Sequence, residues 1–112
     1  MSINLKELVS ILKKTGIPVY RDDAPVGKTL PYIVYEFVDD VPSFASNRVL
    51  QELSRYQFSY ITNGVESELV KIKQTLDEKK IMYSGFDAGP YDENDMSITQ
   101  FNTYVRCYNV WQ

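Results

Sequence analysis

The sequence predicts an α+β fold: one mixed, mostly antiparallel β-sheet with two amphipathic helices packed on one of its faces. Three observations lead there. Two segments, Asn4 to Thr15 and Val65 to about Glu78, repeat their apolar residues at helical spacing. Between and after them run segments that alternate apolar and polar residues with the period of a strand. The chain has 112 residues, 44% hydrophobic and 24% charged, which suits a single soluble domain, residues 1–112, around one core. The element order is then α-β-β-β-α-β-β, and two helices that each need a cover find it on the stickier face of one sheet.

In the first helix, Leu5, Leu8, Val9, Ile11 and Leu12 form one stripe, while Lys6, Glu7, Lys13 and Lys14 face water. Asn4 with Glu7 three residues on resembles a capping box, and Gly16 stands where a left-handed residue ends a helix. Ile17 to Tyr20 reads as a short strand, and Pro18 confines it to an edge or a strand start. A loop follows from Arg21 to Thr29, marked by Asp22, Asp23, Pro25 and Gly27.

Pro31 opens the second strand, with Ile33, Tyr35 and Phe37 on the core side and Tyr32, Val34, Glu36 and Val38 on the other. Pro18 and Pro31 together suggest that parts of two strands are protected edges. Asp39 to Asn47 reads as the exposed turn of a long hairpin. Its return strand, running to Asn63, sets Tyr56, Phe58 and Tyr60 against Arg55, Gln57 and Ser59. Arg48 to Leu53 fits a short helix or a strand extension equally. Asn63-Gly64 signals a turn, and Val65, Leu69, Ile72 and Leu76 then make the second helical stripe. Glu66 and Glu68 near its start and Lys79 and Lys80 past its end agree with the helix dipole. Ile81 to Phe86 reads as a short strand, Asp87 to Ser97 as a polar acidic loop, and Ile98 to Trp111 as a long final strand. In that last strand Phe101, Val105 and Cys107 oppose Tyr104, Arg106 and Tyr108.

Composition narrows the function. The net charge is −3 and no basic run exceeds a pair of lysines, so free nucleic acid is not an expected partner. No apolar run approaches the ~20 residues that cross a bilayer, and the N-terminus lacks the apolar core of a secretory signal; no membrane is expected, and the chain should stay in the cytoplasm where it is made. The one cysteine, Cys107, cannot form an internal disulfide and reads as a small buried thiol. Histidine is absent, which removes the commonest general base, the commonest zinc ligand and the usual nucleophile pairs. No enzyme, cofactor or metal is therefore expected.

The acidic stretch DAGPYDENDMS gathers Asp87, Asp92, Glu93 and Asp95, oxygen ligands of the kind calcium takes. The order of an EF-hand loop is missing, however, and a solvated acidic loop fits better; such a loop could equally meet a basic patch on a protein partner. Asp22-Asp23 and Asp39-Asp40 lie in predicted turns, where aspartate is common for local reasons. Nine tyrosines are the remaining surplus. Tyr32, Tyr104 and Tyr108 fall on the sheet face away from the helices, mixed with Val34 and Val38, a composition typical of protein interfaces, and Arg106 shares that face. Phe44 in the hairpin turn and the acids Asp92, Glu93 and Asp95 complete the candidate contact residues.

Across Asn4 to Asn109, the phrases IPVYRDDAP, PYIVYEF, SRYQFSYITNG and TQFNTYVRCYN, in this element order, resemble the small tail-terminator (tail-completion, tail-to-head joining) proteins of long-tailed bacteriophages. The resemblance implies a homo-oligomeric ring, usually a hexamer in that family, on the head-proximal end of the tail. Such a ring stops polymerisation of the major tail tube protein and presents a surface to the head connector or neck protein. It implies a virion location after assembly in the host cytoplasm, and no active-site residues. A neck or head-completion protein, and a monomeric protein- or ligand-binding module, stand beside this reading as alternatives.

Overall fold

A computed structural model describes residues 3–45, 48–92 and 94–108, with the side chains of 41–52 outside the description. The fold is α+β, as expected. Its elements are β1 (Ile3–Asn4), α1 (Leu5–Lys13), β2 (Val19–Arg21), β3 (Tyr32–Ala45), β4 (Arg48–Thr62), a 3-10 turn (Glu66–Leu69) leading into α2 (Val70–Glu78), β5 (Asp87–Asp92) and β6 (Asp95–Tyr108).

The six-stranded sheet runs β1-β6-β4-β3-β2, with β5 also on β6. The long strands β3, β4 and β6 pair antiparallel, while the short β1 and β2 join parallel to β6 and β3. Both helices cover the same face. Leu8 and Leu12 of α1 and Leu69, Ile72 and Leu76 of the second helical segment pack with Ile33, Phe58, Tyr60, Phe101, Val105 and Cys107. The predicted caps explain where α1 begins and ends. Asn4 Oδ1 accepts the Glu7 N–H at 2.8 Å, and Gly16 takes φ 87°, which glycine adopts without a Cβ clash.

Four sequence expectations need correction. Ile81 to Phe86 is not a strand: Ile81 is buried behind α2, and Ser84 alone ties the segment to β6, its N–H donating to the Tyr104 carbonyl at 3.0 Å. The strand lies instead at Asp87–Asp92, inside the expected acidic loop. Almost all its side chains are exposed, so no apolar alternation betrays it. Secondly, Asp39 to Asn47 is not simply a turn, since β3 stays paired with β4 out to Ala45 opposite Arg48; only 46–47 lie outside the described residues. This also makes Arg48 to Leu53 strand. Thirdly, Pro31 does not mark an edge, for the stretch it opens is flanked by β2 on one side and β4 on the other. Pro18 does precede the edge strand β2. Lastly, Phe37 is 48% exposed, at the margin of the core and next to the irregularity between Phe37 and Asp39. It meets Tyr56 only edge-on.

The opposite face of the sheet is not uniformly open. Tyr32, Val34 and Ile61 form a second cluster with Tyr20, Ala24, Leu30 and Ile98. The loop after β2 thus folds back over one end of the face, and Tyr20 meets Tyr32 edge-on with ring centroids 5.8 Å apart.

Among the described residues the hairpin β3–β4 outruns its neighbours. The β2 ladder ends at Arg21 opposite Tyr35, and the β6 ladder ends at Tyr108 opposite Leu53. Beyond those points, among the described residues, β3 and β4 pair only with each other. The molecule is accordingly long, 50 × 29 × 24 Å, with a radius of gyration of 15.1 Å. A compact domain of this length has about 13 Å.

Candidate assembly surface

The residues singled out from sequence separate into three groups. Tyr32 and Val34 lie on the face away from the helices, as expected, yet the chain's own loop covers them: they are 7% and 9% exposed. Burial and a hydrogen bond with Tyr91 push the Tyr32 phenol up to about 12. They are interior residues of the folded chain, which the sequence pattern of one strand could not reveal.

Asp92 and Asp95, both exposed, pair with each other where β5 gives way to β6. Each carboxylate serves this connection: Asp92 Oδ1 accepts the Asn94 N–H at 2.9 Å, and Asp95 Oδ1 accepts from both the N–H and the hydroxyl of Ser97. The Ser97 bonds hold the Asp95 carboxyl below its ordinary range. Asp87 accepts from the Asn102 amide at 3.2 Å. Among the described residues no three potential metal ligands converge. Glu93 lies outside the described residues, as does the side chain of Phe44.

Tyr104, Arg106 and Tyr108 sit on the same face of β6, and here the surface is open. Register sets Arg106 opposite Arg55 and Tyr104 opposite Gln57 on β4. Arg55 is neutralised by Asp39, with which it makes a two-pronged contact at 3.1 and 2.7 Å, and its guanidinium lies 5.4 Å from the Tyr104 ring centroid. Arg106 is exposed and has no ion pair among the described residues. Tyr108 is half-buried, its hydroxyl 3.5 Å from Glu7.

Next to these residues runs a groove of about 450 Å³, lined by Leu53, Arg55, Ile81, Met82, Tyr83, Ser84, Tyr104 and Arg106. Its floor exists because residues 81–86 are not a strand: they cross beside β6 and leave Met82 79% exposed. Sequence reading missed Met82 for that reason, and Leu53 because its segment fits helix and strand equally. Arg55 was on the correct face, but nothing local pointed to Tyr104 as its platform. Farther along the same face the surface is polar, with Gln57, Ser59, Gln100 and Asn102 bonded to one another at 2.7–3.2 Å. The aspartate pairs near by do local structural work. Asp23 caps the Ala24 N–H, Asp39 holds Arg55, and Asp40 accepts the Ser54 hydroxyl.

Cys107 is fully buried, and burial pushes its thiol up to about 12. No described helix is long and apolar enough to cross a membrane. The chain matches no known protein-family model, and no curated protein matches it significantly.

Proposed function

We propose that this chain is a structural protein of virus assembly that works by closing into a ring, as a tail terminator of a long-tailed bacteriophage. The reading joins the resemblance in strand phrases and element order to one structural observation: among the described residues, the β3–β4 hairpin extends past both flanking strands. A two-stranded ribbon is at best marginal in water, and its outer edges carry unpaired backbone donors and acceptors. Such an element is completed by a neighbouring subunit. Head-to-tail contacts that close by rotation give a ring rather than a filament.

In this role the protein is not an enzyme and uses no cofactor. Its partners are further copies of itself, the major tail tube protein and the head connector or neck protein, and its final location is the head-proximal end of the virion tail. The ring matches the last tube ring on one side and refuses another on the other. Particles assembled without the protein should carry tubes of uncontrolled length that remain separate from capsids. Tubes of normal length already joined to heads would overturn the reading. Sedimentation of the full chain, alone and with tube protein, supplies the biochemical counterpart: a monomer that ignores tube ends would favour a binding module.

A further inference from the structure

We infer that the groove beside Arg106 receives the β5–β6 connection of a second copy of this chain, with Asp92 and Asp95 of one subunit set against Arg106 of the next. This rests on the ring reading and specifies its contact. The two surfaces are complementary in charge and in apolar character. Arg106 is exposed with no ion pair among the described residues, and the groove also carries Leu53, Met82 and Tyr104. The connection offers two exposed carboxylates, with Met96 beside them at 72% exposure.

Geometry requires the contact to be between molecules. Asp95 begins β6 and Arg106 lies near its end. At the rise of an antiparallel strand they are about 37 Å apart, so no subunit can fill its own groove. The contact is also heterologous, connection into groove, leaving a free connection at one end of a pair and a free groove at the other. Only closure satisfies both. Desolvated Arg–carboxylate contacts of this kind act on specificity and association rate as well as affinity.

The test is sedimentation equilibrium of the full chain carrying Arg106→Glu, Asp92→Lys, or both. Each single reversal should weaken self-association at least tenfold, and the combined reversal should recover most of that loss. As a second measurement, a mixture of Arg106→Cys and Asp92→Cys chains should form disulfide-linked pairs under mild oxidation, whereas either variant alone should not; Cys107 is too buried to compete. Unchanged association of both single variants, or a combined variant no better than the singles, overturns this docking while leaving the ring reading intact. Loss of assembly on reversing Lys13 and Lys14, which line a separate groove of about 630 Å³ along α1, with no effect at Arg106, overturns it in favour of that surface. A wild-type chain that stays monomeric even with tube ends present overturns both.

Discussion

The Tyr60 hydroxyl donates to Glu68 Oε1 at 2.9 Å, tying the helix-covered face of the sheet to the first turn of the second helical segment. The same oxygen accepts the Thr62 hydroxyl at 2.8 Å, and Glu68 Oε2 reaches back to the Val65 N–H at 3.3 Å. Thr62 in turn accepts the Gly64 N–H at 3.0 Å. One carboxylate therefore closes the corner between β4 and the helix. Tyr60 and Thr62 are buried, so their donors depend on it.

Replacing Glu68 by Ala should lower stability by about 1–3 kcal/mol, since two buried hydroxyls lose their acceptor. Glu68→Gln keeps an acceptor oxygen and should cost less. Urea midpoints of the two variants provide the comparison, and equal losses would show that the charge, not the geometry, carries the effect.

Gly64 should be intolerant for the same reason. A Cβ there would lie 1.4 Å from Glu68 Oε2, so even Gly64→Ala must push the carboxylate off its partners. Its cost should approach that of Glu68→Ala. Because both changes disrupt one network, the double variant should be little worse than either single one. Additive losses would contradict this account.

Stability should form a plateau in pH. The hydroxyl and backbone donors hold the Glu68 carboxyl below its ordinary 4.5, so its contribution is full above that value and is lost as pH falls through the lower folded value. On the alkaline side the signs reverse. Burial raises the Cys107 thiol from 9.0 and the Tyr60 phenol from 10.0, each to about 12. Their contributions are full below pH 9 and 10 respectively and decline toward pH 12. Chemical denaturation at a series of pH values reads this directly. Cys107 should also resist thiol reagents at pH 8 until the chain unfolds.

Core and margin should respond differently to truncation. Leu8 has no exposed surface, and Leu8→Ala should cost about 2–5 kcal/mol. Phe37, apolar but half open, should cost much less in the monomer. A larger effect of Phe37→Ala on assembly than on thermal unfolding would identify it as contact surface.

The Asp39–Arg55 bridge, with side chains 46% and 39% exposed, should add little to stability on its own. A double-mutant cycle should give a coupling below about 1 kcal/mol that shrinks in salt. Its role is instead to neutralise one of two facing arginines, leaving Arg106 as the available cation.

Much of the architecture was legible locally. The helical stripes, the Asn4 cap, the left-handed Gly16 and the faces of β4 and β6 follow from side-chain period and turn chemistry, which neighbouring residues determine among themselves. The fold class follows because two amphipathic helices and several one-sided strands have few ways to bury their apolar sides together. What tertiary structure alone decided is which of those sides remains open. Tyr32 and Val34 carry the same alternation as Tyr104 and Arg106, yet the loop between β2 and β3 folds back over the first pair and not the second. The β5 strand escaped notice because an edge strand wet on both sides has no apolar rhythm, only a backbone ladder to β6. Period reports how a side chain points, whereas exposure depends on what the rest of the chain lays over it.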